Sequence, residues 1–174
     1  MAQKINIVLF GIGTIGSTLI NKVVKNRKVL VNEKGVDVRF PVITNSTVAF
    51  FEKEGTGYAW EANFMEFAVP FKFEDVLDYV AGAGLENLVA VDASGSIDVI
   101  EQYIVLFNNG FNVISVNDKI EKLPPGLRKE IIVEAEHAAL LFRYLPPLGS
   151  KDKSVNRLLE TIVEIAEKNT ALAS

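Results

Sequence analysis

The residues best suited to chemistry fall in four short clusters, each at the end of an apolar run. The first is Gly11-Ile12-Gly13-Thr14-Ile15-Gly16, a G-x-G-x-x-G turn. Gly11 permits a tight turn, Gly13 lets a pyrophosphate approach bare backbone, and Gly16 lets a helix pack closely on a strand. The free N–H groups and partial positive charge of a following helix then suit phosphate. The second cluster is Asn45-Ser46, whose amide and hydroxyl can hydrogen-bond a ribose. The third is Ser94-Gly95-Ser96, after Asp92, where small and hydroxyl residues let a cofactor lie close. The fourth is Asn117-Asp118-Lys119, which offers an amide and an ammonium toward the nicotinamide end. Plainer readings stand beside these: a simple strand–helix turn for the glycines, turn residues at Asn45 and Ser46, and a solvated lysine at Lys119.

Other chemistries lack their residues. The sequence has no cysteine, which excludes thiolate zinc sites, disulfide frameworks and cysteine nucleophiles. Its one histidine, His137, cannot build a multi-histidine metal site and reads as structural or solvated. A formal net charge of -4 gives no basic excess for nucleic acid. The opening MAQKINIVLF is not a signal peptide, and no apolar run approaches the ~20 residues of a membrane helix. A cytoplasmic protein without a membrane role is expected.

The elements that must hold these clusters alternate. Ile5–Phe10 reads as a strand buried on both faces, ending at glycine. Thr14–Asn26 is helical, with Ile15, Leu19, Ile20, Val23 and Val24 on one stripe. Val36–Thr44 is the next strand, with Pro41 awkward inside it. Residues 47–73 read poorly, with a loop at Gly55 and Gly57 and a short helix over Tyr58–Phe67. A helix over Phe73–Ala81, a strand over Leu88–Val91 and a helix over Ile97–Asn108 capped by Ser96 follow. Then come a strand over Phe111–Val116, a helix near Leu127–Ala138, a strand over Ala139–Tyr144 and a helix over Ser154–Asn169. Such alternation predicts an α/β, Rossmann-type doubly wound parallel sheet in three α/β/α layers. We expect a single dinucleotide-binding domain over residues 1–150 and a C-terminal helical segment over 151–174.

The second strand ends in Asn45-Ser46, with no acid for a ribose and no obvious cation for a 2′-phosphate. The cofactor is therefore NAD or NADP, with a lean to NAD.

In four stretches the chain resembles the nucleotide-binding domain of homoserine dehydrogenases, above all the dehydrogenase half of bifunctional aspartate kinase–homoserine dehydrogenases. They are INIVLFGIGTIGSTLI, VRFPVITNS, LVAVDASGS and EQYIVLFNNGFNVISVNDK. The resemblance covers residues 4 to about 145. It implies that Gly11, Gly13, Thr14, Ile15 and Gly16 hold the pyrophosphate, with Ile12 in the same turn. It also implies that Asn45 and Ser46 match the Asn-Ser after the second strand, and that Ser94, Gly95 and Ser96 flank the nicotinamide ribose. Asn117 matches the Asn of an Asn-Lys motif.

The resemblance has gaps. Asp118 stands where the motif has lysine, and Lys119, the one weak catalytic candidate, comes a residue later. The loop Arg143–Ser150 does not reproduce the family's Gly-rich loop. The resemblance implies oxidoreduction between homoserine and aspartate semialdehyde. The expectation is that residues 1–174 hold the cofactor and lack the substrate domain, so that catalysis needs a partner. A stand-alone nucleotide-binding or redox-sensing module, or an interaction protein with a vestigial site, is the alternative. The last helix, with Val155, Leu158, Leu159, Ile162, Val163 and Ala166 on one face, either packs on its own sheet or joins a second copy or a partner subunit.

Overall fold

A computed structural model describes residues 2–173. The elements run β1 (Gln3–Phe10), α1 (Thr14–Lys25), α2 (Arg27–Val29), a π-helical turn (Leu30–Lys34), β2 (Val36–Thr44), β3 (Val48–Phe51), α3 (Trp60–Phe67), β4 (Val69–Pro70) and α4 (Phe73–Gly82). There follow β5 (Leu88–Asp92), α5 (Ile97–Ile100), α6 (Tyr103–Asn108), β6 (Asn112–Ser115), a 3-10 turn (Asp118–Lys122), α7 (Pro125–His137), β7 (Phe142–Tyr144) and α8 (Lys151–Ala173).

One seven-stranded sheet has the order β4-β3-β2-β1-β5-β6-β7. Strands β2, β1, β5, β6 and β7 are parallel, as the alternation predicts, while β3 pairs antiparallel with β2 and β4 antiparallel with β3. The chain builds outward from β1 on one side, then returns through α4 to β5 on the other. The carboxyl ends of β1 and β5 therefore border the switch point, where open α/β sheets receive ligands.

Successive residues of β1 point to opposite faces, and both faces are covered. Ile5, Ile7 and Leu9 enter one core with Leu19, Ile20 and Val23 of α1 and Val155, Leu158 and Ile162 of α8. Val8 and Phe10 enter the other with Val76, Tyr103, Leu106, Phe107 and Ile131. Asn6 interrupts the apolar run at no cost in pairing, because its amide donates to the Glu86 carbonyl at 2.7 Å.

Several boundaries differ from the sequence reading, each for a local reason. The β1–β2 register shifts between Asn6↔Arg39 and Val8↔Val42, an extra residue in β2 at Phe40-Pro41. Proline is tolerated at such a bulge because the ladder is already interrupted. The hairpin β2–β3 falls in the poorly legible segment. Its turn is set by Asn45, whose Oδ1 accepts from the N–H groups of Thr47 (2.9 Å) and Val48 (2.8 Å). The expected helix over Ile97–Asn108 is broken between Ile100 and Tyr103 into α5 and α6. The last strand starts at Phe142, not Ala139, because Ala139 adopts φ 56 just beyond the end of α7. His137 is exposed in the last turn of α7.

α8 lies against its own sheet. Val155, Leu158, Ile162, Ile165 and Ala166 are buried, and the partly buried Leu159 packs against the same core. The expected stripe thus turns by part of a helical step, with Ile165 inside and Val163 bordering an outer groove. Gln3 and Asn169 exchange a hydrogen bond at 3.1 Å, tying β1 to this helix. Among the described residues, no helix is long and apolar enough to cross a membrane.

Candidate functional site

The glycine turn joins β1 to α1 at the switch point. Gly11 continues the sheet by donating to the Thr44 carbonyl at 2.9 Å, then turns away with φ 98. A β-carbon there would stand 2.6 Å from the Ala93 carbonyl oxygen, so glycine is required by both conformation and space. A β-carbon at Gly16 would lie 2.0 Å from the Gly11 carbonyl oxygen, so α1 packs against the turn only because no side chain intervenes. Gly13 is different: a β-carbon there would meet nothing within 4 Å. Two glycines close the turn, and the middle one faces open space.

Gly13 is also the N-cap of α1, without a side-chain cap, and no acid occupies the first turn. The N–H groups at this end therefore face outward with their partial positive charge unopposed by a carboxylate. Ile12 and Ile15 pack toward the core, leaving backbone as what the turn presents.

Beside the turn lies a cavity of about 530 Å³. The carboxyl ends of three strands form it, through Phe10 and Gly11, Thr44 to Ser46, and Ser94 to Ser96. Phe71 and Phe73 form an aromatic wall, each with its ring centroid 6.2 Å from that of Phe10. Asp98, Val99 and Gln102 complete the lining. The structure thus brings Gly11, Asn45, Ser46, Ser94, Gly95 and Ser96 together. Gly13 comes two residues after the lining residue Gly11, and Gly13, the first turn of α1, Asn117 and Lys119 are not themselves part of the lining.

Several side chains have local duties. The Oδ1 of Asn45 serves the β2–β3 turn, while Ser46 is exposed. Ser96 caps α5, its hydroxyl accepting from the Asp98 N–H at 3.1 Å. Asn117 is 1% exposed, and both ends of its amide are satisfied within the protein. Its Nδ2 donates to the Ser96 carbonyl at 2.9 Å and to Asp92 at 3.1 Å, while its Oδ1 accepts from the Lys119 N–H at 3.2 Å. Lys119 is half-buried in the 3-10 turn.

Sequence reasoning passed over Asp92, Tyr103 and Ser115, which meet beneath the cavity. Asp92 Oδ1 accepts from the Ser94 N–H (2.9 Å) and hydroxyl (2.6 Å), and Oδ2 accepts from the Tyr103 hydroxyl (2.5 Å). The Ser115 hydroxyl lies 2.8 Å from that of Tyr103 and accepts from the Asn117 N–H at 3.1 Å. Since the single phenolic proton goes to Asp92, Ser115 must supply the proton between the two hydroxyls. Burial raises the Asp92 carboxyl above its ordinary range, against the lowering effect of its hydrogen bonds. Burial and the neighbouring carboxylate push the Tyr103 phenol well up, so it stays a donor. The wall residues Phe71 and Phe73 were also missed. Their signal was faint, because a two-residue strand and the β3 hairpin separate them in sequence from the clusters they face.

Comparison with known proteins agrees with this geometry. Residues 11–144 match the family described as homoserine dehydrogenase, NAD binding domain. The bifunctional aspartokinase/homoserine dehydrogenase of Buchnera aphidicola is 26% identical over 149 residues, 85% of this chain, and the chain spans 18% of that relative's length. A homoserine dehydrogenase of S. aureus superposes with a TM-score of 0.61 at 19% identity, over 83% of this chain and 33% of that one. A hyperthermophilic archaeal homoserine dehydrogenase mutant in complex with NADPH gives 0.59 at 19% identity, over 82% and 44%. With the switch-point turn, the parallel sheet and the match over residues 11–144 in agreement, this chain belongs to the homoserine dehydrogenase NAD-binding domain family.

Proposed function

We propose that the chain binds a nicotinamide dinucleotide across the switch point, with its pyrophosphate on the Gly11–Gly16 turn. The observation that carries this reading is the contrast among the glycines. Gly11 and Gly16 are glycines because protein fills the space beside them, while Gly13 faces open space at an uncapped helix N-terminus. The 530 Å³ cavity is within the range of small-molecule sites and has both an aromatic wall and hydroxyl groups. In this arrangement Asn45 Nδ2 and Ser46 meet a ribose, Phe71 and Phe73 flank a base, and the Ser94–Ser96 turn supports the second ribose. Thr14 and the backbone of Ile12 and Ile15 stand at the phosphates. Asn117 acts from beneath, by holding that turn. Lys119 stands beyond the cavity lining, where it can meet the outer end of the cofactor or its substrate.

The same cavity favours NAD over NADP. Among the described residues none of those lining it is basic, and Asp98 contributes a carboxylate. A 2′-phosphate adds close to two negative charges, and no side chain of the lining is a cation. Titration with NADH and NADPH tests both points. The expected result is a Kd for NADH at least about tenfold lower, which corresponds to about 1.4 kcal/mol. Tighter binding of NADPH overturns the preference, and no binding of either overturns the cofactor site.

In the reaction named for its relatives, this chain would contribute the hydride carrier's site. Alcohol oxidation also needs a held substrate and a group that takes the hydroxyl proton. Among the described residues the cavity lining has one titratable side chain, Asp98, and no second acid or base beside it to complete a pair that would hold and deprotonate the alcohol. We therefore place homoserine on polypeptide other than residues 1–174, in a further segment or another subunit. Homoserine-dependent reduction of NAD by the 174-residue chain alone would contradict this.

A further inference from the structure

The break between α5 and α6 has a geometric consequence. A continuous helix over Ile97–Asn108 would carry Tyr103 on without interruption from the cap at Ser96. With the helix interrupted after Ile100, Gln102 lines the cavity while Tyr103, completely buried, lies beneath it against Asp92.

From there the contacts lead back to the ligand side by two routes. Asp92 holds Ser94 through both its N–H and its hydroxyl. Asn117, held by Asp92 and by Ser115, donates to the Ser96 carbonyl at 2.9 Å. The turn that forms one side of the cavity is thus gripped at Ser94 and at Ser96, and both grips converge on one carboxylate. Four donors converge on the two Asp92 oxygens: the N–H and hydroxyl of Ser94, the Tyr103 phenol and the Asn117 amide. A carboxylate is the side chain that can accept all four.

We propose that Asp92 and Tyr103 are positioning residues for dinucleotide binding, holding the Ser94–Ser96 turn and the Asn117–Lys119 loop in one arrangement before the ligand arrives. This rests on the dinucleotide reading above. Neither residue touches the ligand. Their effect is preorganisation, in which a turn already fixed needs no ordering on binding. An ordinary core tyrosine would give stability without this effect.

The test compares Tyr103→Phe with Phe142→Leu. The first removes only the hydroxyl. The second disturbs the ring packed against Tyr103 at 5.8 Å and leaves the polar network intact. Both are measured for thermal stability, for NADH affinity at 20 °C, and for amide hydrogen exchange without ligand. The expected result is that Tyr103→Phe weakens NADH binding about tenfold and speeds exchange in both 93–96 and 117–119. Phe142→Leu, with a comparable loss of thermal stability, should change neither. Equal effects of the two variants on affinity, or exchange rising in one loop alone, would overturn the proposal. If the unaltered chain binds neither NADH nor NADPH, the dinucleotide reading falls and takes this one with it. Binding by the unaltered chain with unchanged affinity in Tyr103→Phe would overturn the positioning role alone.

Discussion

A β-carbon on Gly16 would stand 2.0 Å from the carbonyl oxygen of Gly11, so the first turn of α1 and the end of β1 touch through backbone alone. The obstacle is main chain, which cannot swing aside as a side-chain tip can. Gly16→Ala should therefore force α1 off the sheet and cost at least the ~1–3 kcal/mol typical of overpacking. Urea unfolding measures it. Gly13→Ala, facing open space, should lie within about 1 kcal/mol of the parent, the ordinary helix-cap and glycine terms. Equal losses for the two would mean that the turn is not packed as described.

Asp37 should make the fold weaker in acid. Burial raises its carboxyl, but hydrogen bonds and charges from Arg27 (2.9 Å) and Arg39 (3.0 Å) outweigh burial and hold it below the ordinary value of 3.8. A depressed folded value means that its contribution is present above the unfolded pKa. The contribution is then lost as pH falls through the folded one. Arg27 is about half exposed, so solvent screening reduces its share. Asp37→Asn should cost about 1–2 kcal/mol at pH 7, allowing for that screening. The difference from the parent should shrink as pH falls below 3.8. Unfolding curves across this range check it, and a difference constant with pH would contradict the assignment.

The last helix should be integral to the fold. Leu158 is fully buried in the core shared with β1 and α1. Leu158→Ala should cost about 2–5 kcal/mol. Val163, at the outer groove, should tolerate alanine within about 1 kcal/mol, because little transfer and cavity energy is at stake there. Denaturation of the two variants side by side decides it. A small loss at Leu158 would mean that α8 holds to the sheet only loosely.

How legible these features were depended on their range. The strand–helix alternation and the glycine turn could be read because period and spacing are local properties of the chain. Ser96 as a helix cap was legible for the same reason, and its hydroxyl does accept from Asp98. β3 was not legible, since Val48–Phe51 is four residues long and its pairing is fixed by an Asn45 turn that resembles any polar loop. The polar network under the cavity was hidden more deeply. Asp92 and Asn117 are 25 residues apart and meet because β5 and β6 pair in parallel with Asp92 opposite Ser115, while Tyr103, 11 residues from Asp92, is brought to it by the packing of α6. Tyr103 fell inside the helix expected over Ile97–Asn108, with no local spacing to mark it out. The clusters at the strand ends were found because open sheets gather strand ends at one edge, even where the intervening chain was obscure.

The central claim is that the Gly11–Gly16 turn holds a pyrophosphate, and calorimetric titration of the unaltered chain and of Gly13→Glu with NADH tests it most directly. Glutamate at this position meets no protein atom within 4 Å of its β-carbon, so the variant should remain folded while placing bulk and negative charge in the phosphate's space. The account predicts saturable binding by the unaltered chain and its loss in the folded Gly13→Glu variant. Binding of equal strength in both would show that the dinucleotide sits elsewhere.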